Sequence, residues 1–561
     1  MAPDDTPAAL RAALADLHGG SYARYRSLRG RWALGAGATL VVTRTQPDPF
    51  APPSRCEVHL DAAAAGFPPG LRATATRARA LASVLARAAA AVPASPFRVD
   101  AGGPEVLQRS SCEVGPAGDV VLRFAYPLPG PRRRVDGRTA THELTTLLPD
   151  LVHRCLRAAA HDAEELRAVV DAVDDASWLR AALPRLGLVA FVADGAVLAR
   201  RSGADDRPAE DAVAFRSPPS LRTTVDLPHR GPTTGAGIGE GVTVVVGGAF
   251  AGKSTLLRAL EAGVADHLPG DGRELVVTRP DAVAVRAEDG RAVTRVGIDA
   301  FVGELPGGLR AADFSTPDAS GSTSQAAAVL EALEVGCGLL LVDEDTSATN
   351  HLVRDARMQA LVAREPLTPL VDRVRALHAA LGVSTVIAVG ASGDFLDVAD
   401  RVLLMDAFVG TDVTARAREV ARTPTGRVPE AGGRIVVRAR VPDPGSVRVT
   451  ARGRVRAGAR GTDTLLLGEE EVDVRAVRQF TDPAQVAGAA HALARLVVAG
   501  HLDGRRTLAQ ALDLLDAEPA GPAGPLPGWL AGLDADVAVP RRHEVAAALD
   551  RLRTLRVLSV G

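Results

Sequence analysis

Short, nearly unbroken apolar runs recur through the middle of the chain: VTVVVGG at 242–248, GLLLVDE at 338–344, STVIAVG at 384–390 and RVLLMD at 401–406. Each is followed by a helix-length stretch, and strands without polar alternation are what a parallel sheet covered on both faces requires. The expected core is therefore α/β, over residues 166–430. Residues 1–165 pattern differently, mixing apparent strands (ATLVVT at 38–43, DVVLRFAY at 119–126) with helical stretches at 71–91 and 139–160. Pro/Gly clusters punctuate them, which reads as an N-terminal α+β domain. Residues 431–561 begin strand-like and arginine-rich, turn helical, pass EPAGPAGPLPG at 518–528 and close on an amphipathic helix at 541–556. They are expected to form a smaller C-terminal α+β domain.

Composition narrows the class without naming a function. With 561 residues and roughly 150 residues per domain, three or four domains are expected. The net charge of −2 gives no whole-chain case for nucleic acid, so any such case must come from local clustering. The four cysteines, Cys56, Cys112, Cys155 and Cys337, form no CxxC pair, which argues against a zinc cluster and for a reducing, cytoplasmic setting. No stretch approaches the roughly 18–20 apolar residues of a membrane span, and the N-terminus lacks a signal-type apolar core.

One residue count does change the picture. Of 65 basic residues, Lys253 is the only lysine. It falls in GGAFAGKSTLL, directly after the first core strand, where Gly247, Gly252, Lys253 and Ser254 satisfy G-x-x-x-x-G-K-[ST] in the strand–loop–helix context that motif needs. The glycines let backbone N–H groups turn inward on a phosphate, the helix N-terminus favours negative charge, Lys253 reaches the β and γ oxygens, and Ser254 is a magnesium ligand. A compact ammonium fits there where a planar guanidinium does not.

Ninety residues on, LLLVDEDTSATN ends a strand in Asp343 and Glu344. Asp343 is expected to hold Mg2+ through its water shell and Glu344 to polarise an attacking water. The run DEDTSATN resembles the DEPTSALD segment of ATP-binding-cassette ATPases. Twenty-three residues before Asp343, the run ASGSTSQA begins its signature at Ser320, in the place and register of the LSGGQ signature of that class. A Ser-Gly-rich helix start can present hydroxyl and N–H groups to a phosphate, although the same residues also suit a plain helix N-cap.

Taken with flanking segments such as GSYARYRSLRG (20–30), LVAFVADGAVLAR (188–200) and RRHEVAAALDRLRTLRV (541–557), the chain resembles the predicted ATPases of the ABC class over nearly its whole length. The resemblance implies a P-loop NTPase core of ABC-ATPase type, with nucleotide contacts from Gly247, Gly248, Gly252, Lys253, Ser254 and Thr255. It implies Mg2+ ligation by Ser254 and Asp343, and catalysis of ATP hydrolysis assisted by Glu344 and Lys253. Ser320, Gly321 and Ser322 would act on the nucleotide of a second copy, so a homodimer is the implied assembly. Two departures bear on rate. Ala391 and Ser392 stand where cassette transporters carry a histidine, and no glutamine lies between phosphate loop and signature, leaving Asp299 or Glu304 as substitutes.

From Arg434 to Arg460 there are eight arginines against Asp443 alone. Arg438 and Arg440 alternate, as do Arg452, Arg454 and Arg456, and strand geometry would put each set on one face. Such a stripe could track a nucleic-acid backbone, RNA being favoured by the family resemblance; the alternative is a solvated face balanced by Glu469, Glu470 and Glu471. The tripeptide Arg132–Arg134 reads as a solvated loop. Two functions follow: an ATP-hydrolysing dimer that remodels RNA or another client, or a nucleotide-gated clamp with very slow hydrolysis.

Overall fold

The computed structural model describes residues 7–203, 205–303, 310–362, 364–430, 434–521, 526–530, 532–533 and 536–561. The chain divides into two compact units, Met1–Asp174 with Glu518–Val539, and Asp175–Ala517 with Pro540–Gly561.

The first unit is built on a five-stranded antiparallel sheet, in the spatial order Gly30–Gly35, Ala38–Arg44, Ser54–Leu60, Val120–Tyr126, Cys112–Val114. Ser54–Leu60 alternates buried and half-buried positions, as a sheet with one face on the core does. The helix Ala75–Ala90 packs against the edge strand Cys112–Val114, starting where the Thr74 side chain accepts from the Arg77 N–H. A late segment of the chain joins this unit: Ser110 N–H donates to Val537 O at 2.8 Å, and Val539 N–H to Gln108 O at 2.9 Å.

The second unit holds the α/β core. Its six-stranded sheet runs Ala282–Val285, Leu339–Asp343, Ser384–Val389, Val242–Val246, Arg401–Asp406, Val409–Asp412, parallel throughout except for the last, antiparallel pair. The parallel strands are mostly apolar, with Thr243, Ser384 and Thr385 as buried exceptions, because both faces are covered. On one face Val285, Leu340, Val342, Ile387 and Val244 pack against Ala326, Ala327 and Leu330 of the helix Gly321–Glu334. On the other, Ala282, Leu339, Leu341, Ala388 and Val245 pack against Leu256, Leu257 and Leu260 of the helix Lys253–Ala262. An antiparallel sheet, Val276–Thr278, Leu188–Ala193, Gly231–Gly239, Arg222–Leu227, stands beside this core.

The C-terminal residues of this unit are attached to the core by charge. Arg440 opens the strand Arg440–Pro442, which pairs antiparallel with Val557–Val560. The residue is only 2% exposed, and its guanidinium meets Glu334 at 2.6 Å and Asp550 at 2.7 Å. Arg291 pairs with Glu331 beside them. Burial pushes the Glu331, Glu334 and Asp550 carboxyls up, and the arginines oppose it. Removing a charge from water costs several kcal/mol, so such a cluster holds only while each member keeps its partners.

Candidate functional site

Three neighbouring strands of the parallel sheet end at the site. After Val246 the phosphate loop turns into the helix Lys253–Ala262; after Asp343 comes Glu344; after Val389 come Gly390, Ala391 and Ser392. This is the carboxyl edge of the sheet, where open α/β folds place their ligands.

The loop demands its glycines. Gly252 sits at φ 104°, and a Cβ there would lie 2.8 Å from the ring of Phe408; one at Gly247 would collide with the Met405 carbonyl. Phe408 is held in place by its own N–H, which donates to Ala251 O at 2.9 Å. Ala407 and Phe408 form a two-residue turn with φ of 44° and 66°, between strands paired at Asp406 and Val409. Asn-Gly is the usual solution for such a turn, so two side-chain-bearing residues here carry backbone strain. Phe250, at the loop apex, also has positive φ, 61°, and is 95% exposed.

Lys253 Nζ folds back over the loop, donating to Gly247 O at 2.8 Å and Gly248 O at 2.9 Å. Nothing would obstruct a Cβ at Gly248, which leaves the loop mouth open. A Cβ at Gly390 would be 3.7 Å from Lys253 Nζ and 3.7 Å from Glu344 Oε2, so the ammonium and the carboxylate flank one point. Ser254 and Thr255 follow in the first helical turn. The donor set fits a nucleotide polyphosphate with Mg2+: hard oxygens from Ser254 and Asp343, an ammonium, and free N–H groups at a helix start.

Glu344 is gripped by the neighbouring strand end. Gly390 N–H and the Ser392 hydroxyl donate to it, and Ala391 N–H donates at 2.9 Å. Burial pushes its carboxyl up, but these three donors outweigh that and hold it below the usual carboxylate range. Asp343 accepts the N–H of Asp345 at 3.3 Å, and its carbonyl accepts the Ser347 hydroxyl at 2.8 Å.

At the signature, Ser320 occupies the N-cap position of the helix Gly321–Glu334, but its side chain accepts no backbone N–H. Its hydroxyl lies 3.0 Å from Thr323 Oγ1 and 3.3 Å from Ser322 Oγ. Ser320 is exposed, whereas Gly321 and Ser322 are buried, Ser322 at 8%. A residue the sequence did not single out joins this helix to the segment after Asp343: Gln325, fully buried, donates to Ser347 Oγ at 2.8 Å and accepts Ala348 N–H at 2.9 Å. Its position in ASGSTSQA, one helical turn after the serines, was the available signal.

Other expected residues lie elsewhere. Asp299 is committed to Arg438 at 2.8 Å and contributes nothing here; Glu304 lies outside the described residues. Arg440 is buried in the ion cluster above, which corrects the expectation that it shares an outward face with Arg438: its partners Glu334 and Asp550 draw it inward. Arg452, Arg454 and Arg456 are exposed, but Arg452 sits in a turn at φ 50° and only Arg454 lies within a two-residue strand. They cluster on a hairpin rather than along a strand face. Arg460 pairs with Glu471 at 3.0 Å.

Family comparison agrees with this arrangement. Residues 162–440 match the ABC_ATPase P-loop domain, residues 8–159 the N-terminal domain of ATPases of the ABC class, and residues 456–558 the MRB1590 C-terminal domain. A curated relative, the uncharacterized protein MJ1628 of Methanocaldococcus jannaschii, is 30% identical over 241 residues, 41% of this chain and 52% of that protein. The chain thus spans about half the length of the curated relative it matches. Similar solved structures include cbiO1 from Clostridium perfringens, part of the ABC transporter complex cbiONQ (14% identity, 42% of this chain and 92% of that one, TM-score 0.26). Another is MJ1267, an ATP-binding cassette of an ABC transporter in its ADP conformation (14% identity, 34% and 89%, TM-score 0.24). Among the described residues, no helix is long and apolar enough to cross a membrane. With all three parts of the chain matched in order, and the phosphate loop and Asp343–Glu344 arranged on one sheet edge, the chain belongs to the predicted ATPases of the ABC class.

Proposed function

We propose that this protein binds Mg-ATP and hydrolyses it, working as a homodimer whose cycle is coupled to binding or remodelling RNA. The observation that carries the reading is the flanking of Gly390 by Lys253 and Glu344. Gly247, Gly248, Gly252, Lys253, Ser254 and Thr255 would bind the phosphates, Ser254 and Asp343 the magnesium ion, which supplies charge neutralisation. Glu344 would orient and polarise the attacking water.

The dimer rests on the signature. Ser320 is exposed, with a hydroxyl not spent on capping its own helix, and is thus free to meet a phosphate held by a second copy. RNA is supported by Arg452, Arg454 and Arg456, three exposed arginines on one hairpin. Arg438 and Arg440, being ion-paired, do not add to it.

A second reading, a nucleotide-gated clamp with very slow turnover, draws on the three hydrogen bonds that hold Glu344. A carboxylate so held is a weak base, and hydrolysis must loosen it. Single-turnover and steady-state ATPase rates with and without RNA separate the two. Marked stimulation by RNA supports the first reading, and ATP-dependent dimerisation with negligible turnover the second. No Mg-ATP binding at all sinks both.

A further inference from the structure

The strand Ala282–Val285 is the edge strand beside Leu339–Asp343, and the two run parallel with Val285 opposite Val342. One residue further, Arg286 stands level with Asp343. Val285 and Val342 both face the helix Gly321–Glu334, so alternation sends Arg286 and Asp343 together to the opposite face. That face carries the helix Lys253–Ala262. An arginine is thus delivered beside the magnesium carboxylate, on the side of the phosphate loop.

Arg286 is half-buried and, among the described residues, its guanidinium makes no hydrogen bond and no ion pair; the charges around it act at longer range. A partly desolvated cation without a partner is expensive unless something anionic is meant to meet it. Glu261 on the phosphate-loop helix lies near but does not pair with it. Burial pushes the Arg286 guanidinium down, and a second arginine, Arg478, pushes in the same direction. Arg478 is held there by its neighbour: Gln479 accepts Ala284 N–H at 3.2 Å and donates to Ala282 O at 3.1 Å, pinning the segment to the same edge strand. Glu261 and Asp343 offset part of that repulsion without a direct pair, so the Arg286 guanidinium keeps its donors open for an anionic ligand.

We propose that Arg286 is a phosphate-binding residue of the nucleotide site, contacting the terminal phosphate of a nucleoside triphosphate in the same chain, with Arg478 as a positioning residue whose repulsion keeps Arg286 turned toward it. This rests on the ATPase reading above. It deepens it by giving the site a cation beyond Lys253, placed where charge grows as the phosphoryl group transfers.

The test compares the binding of ATP and ADP and the steady-state turnover of the full chain with those of Arg286→Ala, Arg286→Lys and Arg478→Glu. Arg286→Ala is expected to weaken ATP binding about tenfold with ADP binding unchanged, and to lower kcat by a further tenfold or more, as removal of a charge-stabilising arginine does. Arg286→Lys recovers part of the ATP preference. Arg478→Glu, by capturing Arg286, reproduces the alanine phenotype without touching that residue. The proposal is overturned if Arg286→Ala keeps the wild-type ATP/ADP preference and kcat, or if both nucleotides weaken equally with a fall in Tm that Arg286→Lys does not repair. A wild-type chain that binds no Mg-ATP would instead refute the ATPase reading.

Discussion

The hydroxyl of Ser392 donates to the carboxylate of Glu344, across the gap between the ends of two adjacent parallel strands. Ala391 and Ser392 stand where the resemblance to cassette transporters places a histidine, and in this chain the loop after the Ser384–Val389 strand grips the carboxylate itself. A carboxylate stabilised by three donors keeps its charge to lower pH than a free one.

That grip has a measurable sign. Because the folded-state pKa of Glu344 is depressed, its contribution to stability is present above the unfolded value and lost as pH falls through the folded one. Ser392→Ala removes a charge-assisted bond and raises the Glu344 pKa. The acid limb of the ATP turnover profile should move up by about one pH unit, equivalent to ~1.4 kcal/mol. Turnover on the plateau should hold or rise, since a less stabilised carboxylate is a better base. An acid limb that stays in place would show that Ser392 does not control Glu344.

Arg440 gives a prediction about stability. Arg440→Ala strands Glu334 and Asp550 without their partner in a buried setting, and breaking a buried pair this way costs roughly 3–5 kcal/mol. Arg440→Lys keeps the charge but loses the fork that reaches both acids, so it should fall between wild type and alanine. Urea denaturation reads the order directly; an alanine variant as stable as wild type would mean that the cluster contributes nothing.

On the exposed hairpin, Arg452→Glu, Arg454→Glu and Arg456→Glu together should weaken RNA binding at least tenfold and flatten its salt dependence, with ATP affinity unchanged. Filter binding at two salt concentrations checks this. Arg440→Lys should leave RNA binding as it is, because that side chain never reaches solvent. RNA binding unaffected by the triple charge reversal would show that the hairpin does not hold RNA.

The contrast between these arginines shows what the chain reveals when read alone. The α/β core was legible because strands covered on both faces read as short, mostly apolar runs, and the phosphate loop because strand, glycines, lysine and helix start are contiguous. Arg440 looks like Arg438 and Arg454 in a linear reading. Its burial depends on Glu334 and Asp550, each more than a hundred residues away, and no local pattern encodes such a meeting. Ser392 was visible as a departure from a motif, but its bond to Glu344 depends on two strands lying side by side. The strained turn at Ala407–Phe408 was hidden for the opposite reason, since the residues present are not the ones that turn prefers. Residues 518–528 read as a Gly/Pro-rich stretch, and nothing local signals that Val537 and Val539 just beyond it pair with Ser110 and Gln108, some four hundred positions earlier.

We propose that Lys253 and Glu344 form one site that hydrolyses Mg-ATP. Phosphate release, measured alongside retained nucleotide and molecular mass for wild type, Lys253→Ala and Glu344→Gln, decides this. The expected result is turnover by the wild type, loss of turnover by at least a hundredfold in both variants, and a Glu344→Gln form of doubled mass that keeps its ATP. Wild-type turnover by Glu344→Gln would contradict the assignment.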